Sequence, residues 1–314
     1  MKSKNFSIRS REISDSLPPY IIAEVSANHN GSLSRAKDTI LAAKQSGVDA
    51  VKIQTYTPDT MTIESDNSDF YINDGLWKGK SLFELYSEAY TPFEWHSELF
   101  TYAKKIDIPL FSSPFDETAV DLLESLNTPA YKIASFEIVD LPLIRYIASK
   151  NKPMLISTGM ATLSEIGDAI ECAKSAGNNK IAIFHCISSY PAPIEESNLN
   201  SIQILQKEFN IHVGLSDHTV GNLASLVATS LGASMIEKHF TLNRADGGVD
   251  SSFSNEPEEM HSLVTETKDV FSALGSDSFI RSSAEESNKI FRRSLYFVTD
   301  INEGEIITKK NVRR

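Results

Sequence analysis

Residues 153–188, PMLISTGMATLSEIGDAIECAKSAGNNKIAIFHCIS, contain the unit from which the fold can be predicted. The unit begins with PMLISTG and ends with IAIFHCIS, two short apolar runs rich in β-branched residues, which are typical of buried strands. The segment between them has the pattern of an amphipathic helix; Thr162 and Glu165 fit a capping box at its start, and Gly177 stands where it should end. A strand, a helix and a second strand predict two parallel strands joined by a crossover.

The same alternation of strand and helix continues on both sides of this unit. Six further runs have the composition of strands: YIIAEVS at 20, DAVKIQT at 49, PLFSSPF at 109, AYKIAS at 130, VGLSDHT at 213 and MIEKHFT at 235. Eight such units are the number that closes a barrel, so the sequence predicts a (β/α)8 TIM barrel over residues 20–275. Residues 1–19 are then an N-terminal extension, 276–290 a linker, and 291–314 a strand-like segment that begins a second unit.

The composition restricts the partners and the compartment. The chain of 314 residues has a net charge of −12, which offers no attraction to nucleic acid or to an anionic membrane surface. Two cysteines are too few for a secreted disulfide framework, and the sequence has neither a signal-peptide pattern nor a run long enough for a membrane span. We therefore expect a cytoplasmic protein in which local cations or a metal attract any anionic substrate.

The interval between Tyr56 and Ile108 is too long for a simple crossover. Long loops of this kind often cover a functional site. Near its end, Thr91 and Glu94 fit another capping box, which predicts a helix start at that point.

Polar and charged residues follow the apolar start of every predicted strand. They are Glu24 and Ser26, Lys52 and Gln54, Ser112 and Ser113, Lys132 and Ser135, Ser157 and Thr158, Ser188, Ser216 and His218, and Glu237 and His239. The carboxyl ends of barrel strands meet at one rim, where the active sites of this fold lie. The pattern therefore predicts a single polar site at that rim.

The two histidines at the ends of the last two strands form a candidate metal site. Side chains alternate along a strand, so Ser216 shares a face with His218, and Glu237 shares a face with His239. Adjacent strands would bring the two imidazoles together, and imidazole suits Mn, Fe, Co or Zn better than Mg. The alternative is a pair of ordinary barrel histidines bonded to backbone or carboxylate groups.

The lysines and serines also have two interpretations each. Lys52 and Lys132 either bind an anion or form structural ion pairs with Glu24 or Glu237. Five serines either line a phosphate site or cap the helices that follow the strands; they are Ser112, Ser113, Ser135, Ser157 and Ser188. Their convergence with two lysines in an acidic protein favours an anion pocket. Cys186 is predicted to be a buried thiol that cannot meet His185, because neighbours in a strand point to opposite faces.

The strand ends carry motifs that resemble the sialic acid synthase family. These motifs are IIAEVSANHNGSL, AVKIQTY, FSSPFD, AYKIAS, ISTGMATL, HCISSYPAP, GLSDHT and IEKHF, and they span nearly the whole predicted barrel. QTYTPDTMT, LWKGKSLFELYSEAYTPFEWH and SFEIVDLPLI are more similar to the pseudaminic acid synthases of that family than to its N-acetylneuraminate or legionaminic acid synthases. The resemblance implies condensation of phosphoenolpyruvate with the open-chain form of an acetamido sugar, 2,4-diacetamido-2,4,6-trideoxy-altropyranose, giving pseudaminic acid and phosphate.

The resemblance also implies roles for residues at the matching positions. His218 and His239 would hold a divalent metal, Mn2+ by expectation, with Mg2+ or Co2+ as alternatives, and Glu24 would handle the proton of the water that adds to the substrate. Residues implied to contact phosphoenolpyruvate are Lys52, Ser113, Lys132, Ser135, Ser157 and Ser216. Tyr190 and Asp250 match positions near the sugar. Ser188 stands where the acetylneuraminate synthases have Asn, which leaves its role open.

The segment FRRSLYFVTDINEGEIITKKNVRR resembles the beginning of the family's C-terminal antifreeze-like (SAF) domain. The resemblance implies a domain-swapped homodimer when that domain is complete, with an arginine supplied to the partner's site. We expect the domain to be truncated at Arg314, so that this arginine is missing.

Other functions remain open at the level of sequence. A Schiff-base aldolase would use Lys52 or Lys132 as its nucleophile. A sugar-binding barrel without turnover is a third interpretation, and within the family the acceptor sugar could also be that of an N-acetylneuraminate or a legionaminic acid synthase.

Overall fold

Parallel strands pair in sequence order around a closed barrel in the computed structural model, which describes residues 4–276, 278–279 and 281–314. Numbered along the chain, the strands of the described residues are β1 Phe6–Ile8, β2 Arg11–Ile13, β3 Tyr20–Glu24, β4 Ala50–Thr55, β5 Leu110–Pro114, β6 Tyr131–Ile133, β7 Met154–Ser157, β8 Ile181–Cys186, β9 His212–Asp217, β10 Met235–His239, β11 Tyr296–Phe297 and β12 Val312–Arg313. Strands β3 to β10 form the barrel, and β10 closes it against β3. The predicted (β/α)8 TIM barrel is confirmed.

Helices connect successive barrel strands. Their bounds are α1 Leu33–Gln45, α2 Pro58–Met61, α3 Leu82–Ala89, α4 Phe93–Lys105, α5 Glu117–Ser125, α6 Leu141–Ser149, α7 Leu163–Ser175, α8 Ser201–Phe209, α9 Leu223–Ser230 and α10 Pro257–Leu274. The capping box of Thr162 and Glu165 is present at the start of α7. None of the described helices is long and apolar enough to cross a membrane.

The capping box predicted at Thr91 is wrong. Helix α4 begins one residue later than predicted, with Pro92 as its N-cap and no side-chain hydrogen bond to its first amides. The Thr91 side chain is buried, and its hydroxyl has no hydrogen-bond partner within residues 4–276, 278–279 and 281–314. The side chain therefore packs against the core instead of capping the helix.

Apolar side chains fill two layers on opposite faces of the sheet. Outward residues such as Ile21 and Ile236 pack against the helices, whereas inward residues such as Ile22, Phe111 and Phe184 fill the barrel. Alternation along each strand produces both layers from one sequence. Glycine is required at position 214 of β9, because the backbone of β10 lies so close that a Cβ there would be 2.7 Å from the carbonyl oxygen of Met235.

The amino end of the barrel is covered by the N-terminal residues. Strands β1 and β2 form an antiparallel hairpin, and its residues Phe6, Ile8 and Ile13 belong to the same buried cluster as the barrel interior. Just after the hairpin, Asp15 Oδ1 lies 3.1 Å from Nδ1 of His212, at the start of β9. The polar site is thus at the opposite, carboxyl end.

Contacts divide the chain into two compact units, one ending at Leu274 and the other covering Gly275–Arg314. In the second unit, Ser283–Phe291 form a 3-10 helix, and β11 pairs with β12 in antiparallel fashion. Residues 1–3 of the predicted extension and residues 277 and 280 of the predicted linker lie outside the described residues.

Candidate active site

Four charged side chains form a buried cluster at the carboxyl ends of the strands. Lys52 Nζ lies 3.2 Å from Glu24 Oε2 and 3.2 Å from Glu237 Oε1, and Lys132 Nζ lies 3.2 Å from the same Glu237 oxygen. All four residues are buried. The structure therefore places both predicted lysines together at the rim and forms the ion pairs that were one interpretation of them.

The two carboxylates of this cluster differ in proton affinity. Burial raises the pKa of Glu24, and the charge of Lys52 only partly opposes that effect. Burial would also raise the pKa of Glu237, but Lys132 and Lys52 outweigh it and lower that pKa to about 2. The cluster thus combines a firmly ionised carboxylate with one that holds a proton more readily, as a residue that transfers protons requires.

Three of the predicted serines face the cluster. Lys52 Nζ donates a hydrogen bond of 3.3 Å to Ser113 Oγ, and Ser216 Oγ donates one of 3.2 Å to Glu237 Oε1. The hydroxyl of Ser157 is buried and has no hydrogen-bond partner among the described residues. Because buried hydroxyls are normally paired, Ser157 is available to bond a ligand.

Ser135 and Ser188 lie together beside Gly159. The amide of Gly159 donates a 3.2 Å hydrogen bond to Ser135 Oγ, and a Cβ at position 159 would collide with both serine hydroxyls. Glycine at this position therefore lets the chain after β7 approach the two serines closely.

The capping interpretation of the serines does not hold for β5 and β7. Asp116 and Thr162 cap the helices that follow these strands, so Ser113 and Ser157 are free to face the site. Ser112 instead donates a 3.0 Å hydrogen bond to a carbonyl of β4. Its predicted convergence with the other serines is wrong, because Ser112 and Ser113 are strand neighbours and point to opposite faces.

The two histidines meet at the ends of β9 and β10, with ring centroids 5.4 Å apart. His218 Nδ1 lies 2.8 Å from the carbonyl oxygen of Ile187, which can only accept, so Nδ1 carries a proton and, in the neutral ring, Nε2 keeps a lone pair. His239 Nδ1 is buried, has no hydrogen-bond partner in the part of the chain that the structure describes, and lies 3.9 Å from Asp250 Oδ2. Burial and the neighbouring His218 lower the pKa of His239 well below its ordinary value.

This pair of imidazoles fits a divalent metal. A neutral ring with an unpartnered nitrogen and a second ring held by a backbone carbonyl are the forms in which histidine binds metals. Within the described residues, no group of three or more His, Cys, Asp and Glu side chains is arranged to hold a metal. His218 and His239 are the residues that would hold a metal here.

Aromatic rings form one wall beside the histidines. The Tyr190 ring lies 4.3 Å from that of His218 and 5.5 Å from that of Phe253, measured between centroids. Trp77, from the long segment between β4 and β5, lies 5.6 Å from Tyr190 and donates a 3.0 Å hydrogen bond to the carbonyl of Val249. The segment thus reaches the site through Trp77.

A chain of hydrogen bonds joins Asp250 to Glu24. Ser26 Oγ donates to Asp250 Oδ2 at 2.5 Å, and the amide of Gln54 donates to Ser26 Oγ and to Glu24 Oε1, each at 2.9 Å. The two carboxylates are therefore held in fixed orientations on either side of Gln54.

Two further residues belong to the site although the sequence did not indicate them. Cys186 Sγ lies 3.8 Å from His218 Nδ1, and His218 lowers the pKa of the thiol to about 7 although burial opposes this. Glu137, in a 3-10 helix after β6, is close enough to Lys132 for that charge to lower its pKa, but burial outweighs this and raises the pKa to about 7. One of its oxygens is buried without a hydrogen-bond partner among the described residues. The sequence carries no signal for the Cys186 contact, which depends on the pairing of Cys186 with Ser216 across β8 and β9, two residues before His218.

Comparisons with known proteins identify the family of the chain. The NeuB family model matches residues 39–278. A pseudaminic acid synthase from Helicobacter pylori is 48% identical over 297 residues, which are 94% of this chain and 87% of that protein. An N,N'-diacetyllegionaminic acid synthase from Campylobacter jejuni is 39% identical, covering 93% of this chain and 88% of that protein.

Solved structures show the same architecture. An N-acetylneuraminic acid (sialic acid) synthetase from Leptospira borgpetersenii, crystallised with citrate, has a TM-score of 0.82 and 29% identity, covering 92% of this chain and 96% of that one. A truncated 3-deoxy-D-arabino-heptulosonate 7-phosphate synthase from Thermotoga maritima has a TM-score of 0.66 at 16% identity, over 86% of this chain and 93% of that one, and so shares the fold alone. The family match and the identity to its members show that this chain belongs to the NeuB family, that of the sialic acid synthases.

Proposed function

We propose that this chain condenses phosphoenolpyruvate with the open-chain aldehyde of 2,4-diacetamido-2,4,6-trideoxy-altropyranose, giving pseudaminic acid and inorganic phosphate. The observation that carries the proposal is the position of two buried lysines and two metal-competent histidines at one rim. The lysines suit an anionic phosphate, and the histidines suit a metal beside an aldehyde oxygen.

The lysine cluster would hold phosphoenolpyruvate. Lys132 donates only to Glu237 Oε1, which leaves ammonium protons for ligand oxygens. Lys52 already faces three acceptors, Glu24, Glu237 and Ser113, and adds its positive charge to the site. The free hydroxyl of Ser157 adds a donor, and Ser113, Ser135 and Ser216 lie around the same rim. A local site of this kind attracts an anion despite the net charge of −12.

His218 and His239 would hold the metal, for which Mn2+ is our proposal. When bound, the ion supplies a Lewis acid that polarises the aldehyde oxygen. Carbon 3 of the enol then attacks the aldehyde carbon, and water adds to the positively charged carbon 2. Cleavage of the carbon–oxygen bond at carbon 2 releases phosphate.

Glu24 would accept the proton of that water. Burial raises its pKa, so Glu24 holds a proton more readily than an ordinary glutamate, as a group that exchanges protons requires. Gln54 and Lys52 fix both of its oxygens, so the carboxylate has one orientation at the rim.

The acceptor is proposed from two observations. Identity is 48% to the pseudaminic acid synthase and 39% to the legionaminic acid synthase. The aromatic wall of Trp77, Tyr190 and Phe253 offers apolar surface to the methyl groups of a trideoxy diacetamido sugar. Asp250 and Ser188 would contribute polar contacts beside it.

The test is incubation with phosphoenolpyruvate, Mn2+ and a panel of acetamido sugars, with measurement of released phosphate and of product mass. We expect release with the altro sugar, and a loss in kcat of about 10²- to 10⁴-fold for Glu24→Gln. Glu12→Gln, at an exposed position of β2, is the matched control. Phosphate release with N-acetylmannosamine alone would overturn the proposed acceptor sugar. Borohydride trapping of a covalent pyruvate adduct, without phosphate release, would favour the Schiff-base aldolase.

We also propose that the chain acts in the cytoplasm as a homodimer that exchanges its second unit. In that unit, several large apolar side chains are at least 65% exposed; they are Ile290, Phe291, Leu295, Tyr296 and Phe297. Exposed apolar surface of this extent marks an interaction site. Light scattering after size exclusion should give the mass of a dimer, and a monomer at micromolar concentration would contradict this proposal.

A further inference from the structure

A second buried ion pair lies behind the histidines, between the barrel and helix α9. Lys238 Nζ lies 2.9 Å from Asp217 Oδ2, and both side chains are at most 1% exposed. Their neighbours on the same face of the sheet are apolar, among them Leu215 and Ile236. A charged pair is therefore embedded where the adjacent outward residues of both strands are hydrophobic.

The position of this pair relates it directly to the proposed metal ligands. Lys238 and Asp217 are partners across β9 and β10, and each comes immediately before a histidine, His239 and His218 respectively. Because neighbouring strand residues point to opposite faces, the ion pair faces the helices while the imidazoles face the rim. The pair therefore ties together the two strand ends from which the imidazoles project.

Hydrogen bonds extend this link around His218. Lys238 Nζ donates to the carbonyl oxygen of Thr219 at 2.7 Å, and Asp217 Oδ1 accepts from both the amide and the hydroxyl of Thr219 at 2.8 Å. Ser225 of α9 donates to Asp217 Oδ2 at 2.6 Å. The residues before and after His218 are thus bound to β10 and to α9, so the backbone of His218 is held on both sides.

Stability does not explain why charges occupy these positions. A buried ion pair loses hydration, and apolar residues of similar volume are often equally stabilising. A polar pair does, however, allow a single register, because any slip of one strand would leave a buried charge without its partner. The pair is therefore suited to fixing geometry.

We propose that Lys238 and Asp217 are positioning residues that fix the separation and orientation of His218 and His239 for metal binding. The inference rests on the metal site of the proposed function. Loss of a group that supports a metal ligand typically weakens metal affinity about 10- to 100-fold.

The test is Mn2+ binding by calorimetry to the full chain, compared with urea unfolding of the same samples. The double variant Asp217→Asn, Lys238→Met removes both charges and keeps the side-chain volumes. We expect Mn2+ to bind about 10- to 100-fold more weakly, with the urea midpoint unchanged or higher. The control is Glu124→Gln, Lys152→Met, which removes an ion pair of 2.8 Å remote from β9 and β10 and should leave Mn2+ affinity unchanged.

Thr219→Val is a second variant, which removes one hydrogen bond to Asp217 and keeps both charges. It should weaken Mn2+ binding roughly fivefold, the equivalent of one hydrogen bond, and it decides the matter if the double variant does not fold. Absence of Mn2+ binding to the unchanged chain would refute the metal site itself. Normal binding to the unchanged chain together with binding within twofold in the folded variants would refute the positioning role.

Discussion

Glu237→Gln should destabilise the protein strongly, because it removes the negative charge that two buried lysines share. Lys132 and Lys52 hold the pKa of Glu237 at about 2, compared with an ordinary value of 4.5. At about 1.4 kcal/mol for each pH unit, this difference corresponds to about 3 kcal/mol of stability at pH 7. Glutamine keeps the volume of the side chain and can still accept from Ser216, so the loss reports the charge.

The sign of the pH dependence follows from the direction of the shift. A carboxylate whose pKa is lowered in the folded state contributes its full stabilisation of the fold when the pH is above the pKa of the unfolded state. That contribution is lost as the pH falls from 4.5 towards 2. The stability difference between the unchanged chain and Glu237→Gln should therefore be largest at pH 7 and decrease below pH 4.5.

Urea unfolding at several pH values measures this difference. Glu208→Gln, at an exposed position of α8, is the matched control and should change the unfolding free energy by less than about 0.5 kcal/mol. A loss of less than about 1 kcal/mol for Glu237→Gln at pH 7 would refute the reasoning. It would mean that water or rearranged lysines replace the carboxylate.

Three further changes test other parts of the site. Ser157→Ala should raise KM for phosphoenolpyruvate roughly 10-fold by removing a hydrogen bond to an anion, and an unchanged KM would exclude this contact. The urea midpoint of the variant should stay the same or rise, because an unpartnered buried hydroxyl is lost. Burial raises the pKa of Glu137 to about 7, so ionisation of this carboxyl destabilises the folded state as the pH rises from 4.5 to 7. Glu137→Gln should therefore be about 3 kcal/mol more stable than the unchanged chain at pH 8 and equally stable at pH 4. Parallel curves of unfolding free energy against pH for the two proteins would contradict this. Chelation with EDTA should stop phosphate release, and added Mn2+ should restore it; release that persists in EDTA would rule out a metal requirement. His239→Ala should bind Mn2+ at least about 100-fold more weakly, a larger loss of affinity than removal of a supporting residue causes.

The strand residues of the site were predictable because alternation has a fixed period. Lys52, Lys132, Ser157 and Glu237 all lie on barrel strands, where an inward position can be counted from an apolar neighbour. Counting positions along β8 also correctly placed the side chains of Cys186 and His185 on opposite faces of the sheet. It could not show that Cys186 meets His218, because that contact depends on the register between two strands.

Residues outside the strands were not predictable in this way. Glu137 lies in a 3-10 helix whose path after β6 has no simple period, so its buried carboxylate was not foreseen. Trp77 bonds to Val249, 172 residues away in sequence, and only the closed barrel brings them together. The hairpin of β1 and β2 was missed because strands of three residues are too short for an alternation pattern.

That hairpin determines where the barrel can be cut for laboratory use. A shortened gene beginning at Tyr20, the first residue of the barrel strands, would remove Phe6, Ile8 and Ile13 from the cluster that they share with Phe111 and Phe184. The exposed apolar interior would then favour aggregation during expression. Shortened versions should therefore keep the chain from Phe6 onward, and purification tags should be joined through a flexible spacer ahead of it.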